Sequence, residues 1–306
     1  MRRVRCPAWS DARRLTLHGQ EINPSNWVLA KINMIFCGLR DARIEKGDTI
    51  REPRLIEGDH LLLYDRVIAN PPFSSRWWGH EVAEWDDPYG RFRYGVPPRD
   101  NGDFAFLQHM VATLRPSGRL ATLASHGVLF RGKKDAAIRA AMVQDDLFEA
   151  VIGLPGNLLL STGIPSALLV LNRSKPEGRR RRVLFLDASQ EFYEDRQNNR
   201  LGPEHVARIV RAYHDFSDVP SYARVVDVEE IERNDYNLAV HRYVQAPPPA
   251  ERVAPPEQMW RRVELKNYRS IAQASVDLAP FAVLVGPNGS GKSNFADALV
   301  FARDRD

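Results

Sequence analysis

Cysteine is scarce: Cys6 and Cys37 are the only two in 306 residues. They cannot build a disulfide framework, and they lack the paired spacing of a zinc site. The eight histidines are scattered along the chain, so no metal centre is expected. No apolar run approaches the roughly 20 residues that a membrane helix needs. The basic opening "MRRVRCPAWSDARRL" is not followed by the apolar stretch of a secretory signal. The expectation is therefore a reducing, cytoplasmic setting without a membrane. A strong charge imbalance is missing too: the net charge of +4 is compatible with a polyanionic partner but does not require one. What is present, 43% hydrophobic and 27% charged residues, is ordinary globular composition, enough for one large domain or two smaller ones.

Period and punctuation outline an α/β chain. "LTLHGQEI" (15–22) reads as a strand. In "PSNWVLAKINMIFCGL" the apolar residues fall at helical spacing, with Ser25 as cap and Gly38 as stop. "ARIEKGDT" and "YDRVIA" read as two further strands, giving strand, helix, strand, strand, the order of a βαβ sheet. An amphipathic helix (102–115), a strand in "RLATLAS" and a helix over 133–147 follow. "FEAVIGLP" and "SALLVLNR" read as the last two strands, antiparallel because a short turn-rich segment joins them. The expected sheet is mostly parallel, with that antiparallel pair at its edge. "NRSKPEGRRRR" reads as a solvated loop rather than a binding device. "EHVARIVRAYHDF" is another helix. Residues 245–259 are a proline-rich, stiff linker, and alternating strand-like sequence follows them.

The strand "YDRVIA" ends on Asn70-Pro71-Pro72-Phe73. In an open parallel sheet, ligands bind beyond the carboxyl ends of strands. The prolines stiffen the backbone and lack N–H groups, which leaves carbonyls pointing outward. Asn70 adds a side-chain acceptor, and Phe73 adds a flat apolar face. Together they offer two acceptors to one amino group and a platform to a ring, although a bare Asn-Pro-Pro also serves simply to break a strand. Trp77 and Trp78 are open to two roles, lining a cleft or packing.

Here the residues resemble a known family. "NPPF" is similar to the motif of amino-group DNA methyltransferases. The series "GQEINPSNWVLAKINMIFCGL", "IEKGDT", "IANPPFS", "YGVPPRDNGDFAFLQHMVATLRPSGRLATLASHGVLFRG", "AVIGLPGNLLLSTGIPSALLVLNR" and "RNDYNLAVHRYV" resembles the modification subunit of type I restriction systems, in that family's order, over about residues 15–244. The resemblance implies a Rossmann-like α/β sheet and methyl transfer from S-adenosylmethionine to adenine N6 in DNA. It also implies specificity and restriction subunits as partners. By the resemblance, Asn70 and Pro71 accept from the target amine, Pro72 holds the loop, and Phe73 stacks on a base swung out of the duplex. It also implies that Glu21 meets the cofactor's ribose and Asp48 its adenine, with Asn23 and Thr49 beside them. The family's Gly-rich first turn belongs about 25 residues, one βα unit, before Glu21. "RRVRCPAWSDARRL" has no glycine, so the sheet is expected to be incomplete at its N-terminal side.

A second motif stands near the other end. "GPNGSGKS", with Gly286, Asn288, Gly289, Gly291, Lys292 and Ser293, fits G-x-x-x-x-G-K-[ST] between a strand-like and a helix-like run. Such a loop cradles phosphates, which implies ATP and Mg²⁺. With "VELKNYRSI" it resembles the opening of an SMC/RecF-like ATPase. The expected organisation is a methylase domain over 1–244, a linker over 245–259, and a small α/β P-loop fragment over 260–306. Two rivals remain: an ATP-binding protein with a methylase scaffold, and a fusion remnant that binds DNA or subunits without catalysis.

Overall fold

The computed structural model describes residues 15–85, 87–159, 163–195, 198–244, 262–277 and 292–303, of which 292, 293 and 300–303 are described in backbone only. The chain divides into two compact units, 1–247 and 248–306.

The first unit runs β1 (His18–Glu21), α1 (Pro24–Phe36), β2 (Arg43–Lys46), β3 (Ile56–Glu57), β4 (His60–Leu61), β5 (Tyr64–Ala69), α2 (His80–Trp85), α3 (Asp103–Ala112), β6 (Leu114–Ser125), α4 (Gly127–Phe130), α5 (Lys134–Gln144), β7 (Phe148–Gly153), β8 (Ser166–Asn172), β9 (Arg182–Asp187), α6 (Pro203–Asp215), β10 (Ala223–Asp227) and α7 (Val228–Arg233). Six strands form one sheet in the order β10-β9-β7-β8-β6-β5. Its inner positions alternate between two cores. Val151, Leu169, Leu171 and Phe185 meet α3, α5 and α7 on one face. Ala150, Ile152, Val170 and Leu184 meet Ile209 and Ala212 of α6 on the other. That period of two is what a strand buried on both faces imposes.

The sheet is more mixed than expected. β5–β6 and β7–β9 are parallel, whereas β6–β8, β7–β8 and β9–β10 are antiparallel. The β7–β8 pair is antiparallel as expected, but it lies in the centre of the sheet and two further strands extend it. The run Arg179–Arg182 leads into one of them, β9. Arg179 bonds the buried Glu149, Arg181 bonds Glu229, and Arg182 sits 3.8 Å from Asp227. Most of "NRSKPEGRRRR" is exposed, as expected of a solvated loop, while Lys175 turns inward and Arg179 reaches the buried Glu149. The helix over 102–115 is narrower and deeper than the pattern suggested: seven of its residues, Asp103 among them, are buried.

β1 and β2 pair in parallel around α1, but they form a separate two-stranded sheet, and the third expected strand, β5, belongs to the large sheet. Asn23, not Ser25, caps α1: its side chain accepts from the Ser25 and Asn26 amides. Asn is a strong N-cap, and Pro24 at the first helical position fixes the entry. Gly38 ends the helix region at φ 78, as its position suggested.

In the second unit β11 (Arg262–Tyr268) and β12 (Ile271–Asp277) form an antiparallel hairpin. Helix α8 (Lys292–Arg303) is tied to its turn by Asp297, which takes Arg269 and the Tyr268 hydroxyl. The expected linker and residues 286–291 of the phosphate-loop motif lie outside the described residues; Lys292 opens α8. Among the described residues no helix is long and apolar enough to cross a membrane.

Candidate active site

The carboxyl end of β5 delivers Asn70 to the surface. Its side-chain amide is exposed and makes no hydrogen bond with the described residues, and neither does the Pro71 carbonyl. The corner itself is pinned at both ends. Upstream, Thr122 Oγ1 on the neighbouring strand β6 donates to the Ala69 carbonyl at 3.2 Å. Downstream, the Ser74 amide donates to Asp103 Oδ1 at 2.6 Å, and the Gly102 amide donates to Ser75 O at 2.9 Å. Two free acceptors thus project from a segment that two prolines and these anchors hold stiff.

The corner separates two cavities. The first, about 470 Å³, lies between β1 and β5 and is lined by Glu21, Asp48, Thr49, Asn70, Pro71, Pro72 and Trp77. Among the described residues β1 pairs only with β2, and β5 only with β6, so each presents to it an edge without a described strand partner. At the starting ends of these strands, His18 Nδ1 and the Tyr64 hydroxyl meet at 3.1 Å. Two carboxylates stand at the other end. Glu21 uses one oxygen for the Asn23 amide at 2.7 Å, and its second has no partner among the described residues. Asp48 accepts the Ile50 and Arg51 amides and pairs with the Arg51 guanidinium at 3.0 Å. Arg51 also reaches Glu81 and the Trp77 carbonyl, which joins the cleft wall to α2.

His109 lines this cleft from α3. Burial and the neighbouring Arg91 guanidinium lower its pKa to about 3, so its ring is neutral across the physiological range. Arg91 is itself buried, held by Asp87 at 2.7 Å.

The second cavity, about 520 Å³, lies on the other side of the corner. Asn70, Pro71, Pro72, Phe73, Ser74, Ser125, Leu159, Ile164 and Pro165 line it. Its walls are mixed, apolar at Pro71, Pro72, Phe73, Leu159, Ile164 and Pro165 and polar at Asn70, Ser74 and Ser125, and with its aromatic ring they suit a flat ring system that carries polar groups.

The candidate residues named from sequence therefore divide. Glu21, Asp48, Thr49, Asn70, Pro71 and Pro72 share the first cleft, and Asn70 through Phe73 line the second. Asn23 lines neither, because its side chain is spent on the helix cap. Both tryptophans line the first cleft, but Trp77 is 86% exposed, whereas Trp78 is 2% exposed and packs, its indole N–H on the Pro98 carbonyl. Sequence reasoning missed Asp103, Ser125, His109, Leu159, Ile164 and Pro165, because none adjoins the tetrapeptide in sequence.

The family model described as N-6 DNA Methylase matches residues 7–252, and one described as an AAA ATPase domain matches residues 259–305. The type I restriction enzyme MjaVII methylase subunit of Methanocaldococcus jannaschii is 37% identical over 83% of this chain and 44% of its own length. The HindI methylase subunit of Haemophilus influenzae is 35% identical over 75% of this chain and 52% of its own. The chain thus spans about half the length of these curated relatives. Among solved structures, the type I restriction-modification methyltransferase subunit from Streptococcus thermophilus superposes with a TM-score of 0.69 at 34% identity, over 76% of this chain and 48% of that one. A sheet ending on a free asparagine amide, a paired-carboxylate cleft and these likenesses all point the same way, and the chain belongs to the N-6 DNA methylase family.

Proposed function

We propose that the first unit acts as an adenine-specific DNA methyltransferase of a type I restriction-modification system, with the corner at Asn70 as its catalytic element. The observation that carries this is the Asn70 amide, unpartnered among the described residues and held on a stiff strand end between a carboxylate-bearing cleft and a second cavity that contains Phe73. In this reading the second cavity takes a target adenine out of the duplex, and Phe73 stacks on it. Asn70 Oδ1 and the Pro71 carbonyl accept from its exocyclic amine. Acceptors aimed at that nitrogen stabilise the charge it develops as it becomes tetrahedral. Pro72 keeps them in register, so positioning supplies much of the rate.

The first cleft fits the nucleoside part of S-adenosylmethionine. Glu21 has an oxygen to spare for ribose hydroxyls, and Asp48 and Thr49 stand at the end of the next strand for the adenine. When bound, that cofactor supplies a methyl group carried on positively charged sulfur. Asn23 serves it only by shaping the turn after β1.

The setting in this reading is the cytoplasm, with specificity and restriction subunits as partners; DNA site choice then lies with the specificity subunit. The match to an ATPase domain favours a separate nucleotide site in the second unit, with Gly286, Asn288, Gly289, Gly291, Lys292 and Ser293 around ATP and Mg²⁺. It also supports residues 245–259 as a linker between the two activities.

The test is transfer of labelled methyl from S-adenosylmethionine to an adenine-containing duplex by the purified chain, beside Asn70→Ala and Lys292→Ala. Transfer that needs Asn70 and not Lys292 supports the proposal. No transfer, with no binding of labelled cofactor at millimolar concentration, overturns it.

A further inference from the structure

We propose that Asp103 is a positioning residue for the Asn70–Phe73 corner, acting through the Ser74 amide; this rests on the reading of that corner as the base-binding element. Asp103 opens α3 and is buried. A buried carboxylate is costly unless every oxygen is bonded. At a helix start its oxygens could be spent on first-turn amides. Here they are not. Oδ1 takes the Ser74 amide at 2.6 Å, and Oδ2 takes Ser125 Oγ at 2.9 Å and Arg131 Nη2 at 2.5 Å. Each donor comes from a different part of the chain. Arg131 is in turn fixed by Asp135 at 2.8 Å and Asn101 at 3.1 Å.

The loop needs such an anchor. Ser74 sits at φ 51, the left-handed region that a non-glycine residue holds only when its surroundings impose it. The bond from Thr122 fixes the corner's upstream end at Ala69. Between Ala69 and Ser74 lie four residues, two of them prolines, so a displacement at Ser74 passes to Asn70 rather than being absorbed. Ser125 and Ser74 both line the second cavity, and one carboxylate therefore holds two parts of its wall. Asp103 does not touch the base in this scheme. It sets where the two acceptors point.

The test compares Asp103→Ala and Asp103→Asn in the full chain by amide hydrogen exchange, methyl transfer and cofactor KM. A misplacement near 1 Å costs about 100-fold in rate, so Asp103→Ala is expected to lower kcat about 100-fold with cofactor KM unchanged. Exchange over residues 70–78 is expected to quicken while β7–β9 stay protected. Asp103→Asn keeps an oxygen for the Ser74 amide and is expected to restore most of both. Unchanged exchange over 70–78 overturns the inference, as does loosening of β7–β9 to the same extent. If Asp103→Ala does not fold, Asp103→Asn against Ser125→Ala makes the comparison, and slower exchange over 70–78 in the former supports the inference while equal effects overturn it. A wild-type chain that transfers no methyl refutes the methylase reading alone, because the exchange result still decides the role of Asp103.

Discussion

Replacing Gly102 with alanine adds one methyl group at a crowded point behind the candidate site. The backbone there, at φ −95 and ψ 5, is open to alanine, so the cost is steric. A Cβ at Gly102 would stand 2.5 Å from Trp78 Cβ and Cγ and 2.8 Å from Cδ1. Trp78 cannot retreat cheaply. Its indole N–H is bonded to Pro98 O at 2.9 Å, and its ring packs edge-on to His80 and tilted against Phe92. Overpacking of this kind costs about 1–3 kcal/mol. The lower entropy of alanine in the unfolded chain offsets about 0.4–1 kcal/mol of that. The net expectation is about 1–2 kcal/mol of lost stability, or roughly 2–8 °C in Tm for a unit of this size. Thermal unfolding followed by tryptophan fluorescence reads it directly. Since the Gly102 amide holds Ser75 and the next residue holds Ser74, methyl transfer should fall as well. An unchanged or raised Tm would refute the packing argument, whatever the activity.

Asn70→Ala should lower methyl transfer by about 10²–10³-fold, the usual effect of deleting one aimed polar group, with Tm unchanged because the side chain is exposed and unbonded. Unfolding free energy should fall on acidification: His109 is held neutral down to about pH 3 in the fold but protonates near 6.5 once unfolded, so the unfolded state binds the extra proton between those values. The loss should approach about 1.4 kcal/mol per pH unit below 6.5 and be smaller in His109→Gln, as denaturant titrations at pH 5 and 7 would show. Glu149→Ala removes a fully buried carboxylate that faces Arg119 and Arg179 and takes the Tyr213 hydroxyl at 2.8 Å. Breaking a buried pair costs about 3–5 kcal/mol; Arg119 is part-exposed and can hydrate, which puts the expected loss near about 3 kcal/mol in urea unfolding.

The corner at Asn70 was legible in sequence because everything that makes it is local: a strand, its end, two prolines and an aromatic ring. Helices α1, α3, α5 and α6 were legible for the same reason, apart from the cap of α1, where Asn23 and Ser25 are both good caps and only the fold decides between them; the short helices α2, α4 and α7 were not read. Strands β9 and β10 were not read, and the reasons are physical. The four apolar residues of "RVLFLD" follow a run of arginines that signals solvent, and the strands that bury them, β7 and β10, come from other segments. The same distance hid the anchoring of the corner. Asp103 gathers Ser74, Ser125 and Arg131 across 29, 22 and 28 residues, and no local pattern announces such a meeting.

The Asn70–Pro72 segment is a party wall: the two chambers on either side of it lean on the same few atoms. Thermodynamic linkage then constrains whatever occupies them. If a guest in one chamber steadies the wall and tightens the other's grip by some factor, the second guest must tighten the first by the same factor. A pair of binding titrations, each run with the opposite chamber empty and then filled, should therefore close into one cycle with a single coupling constant.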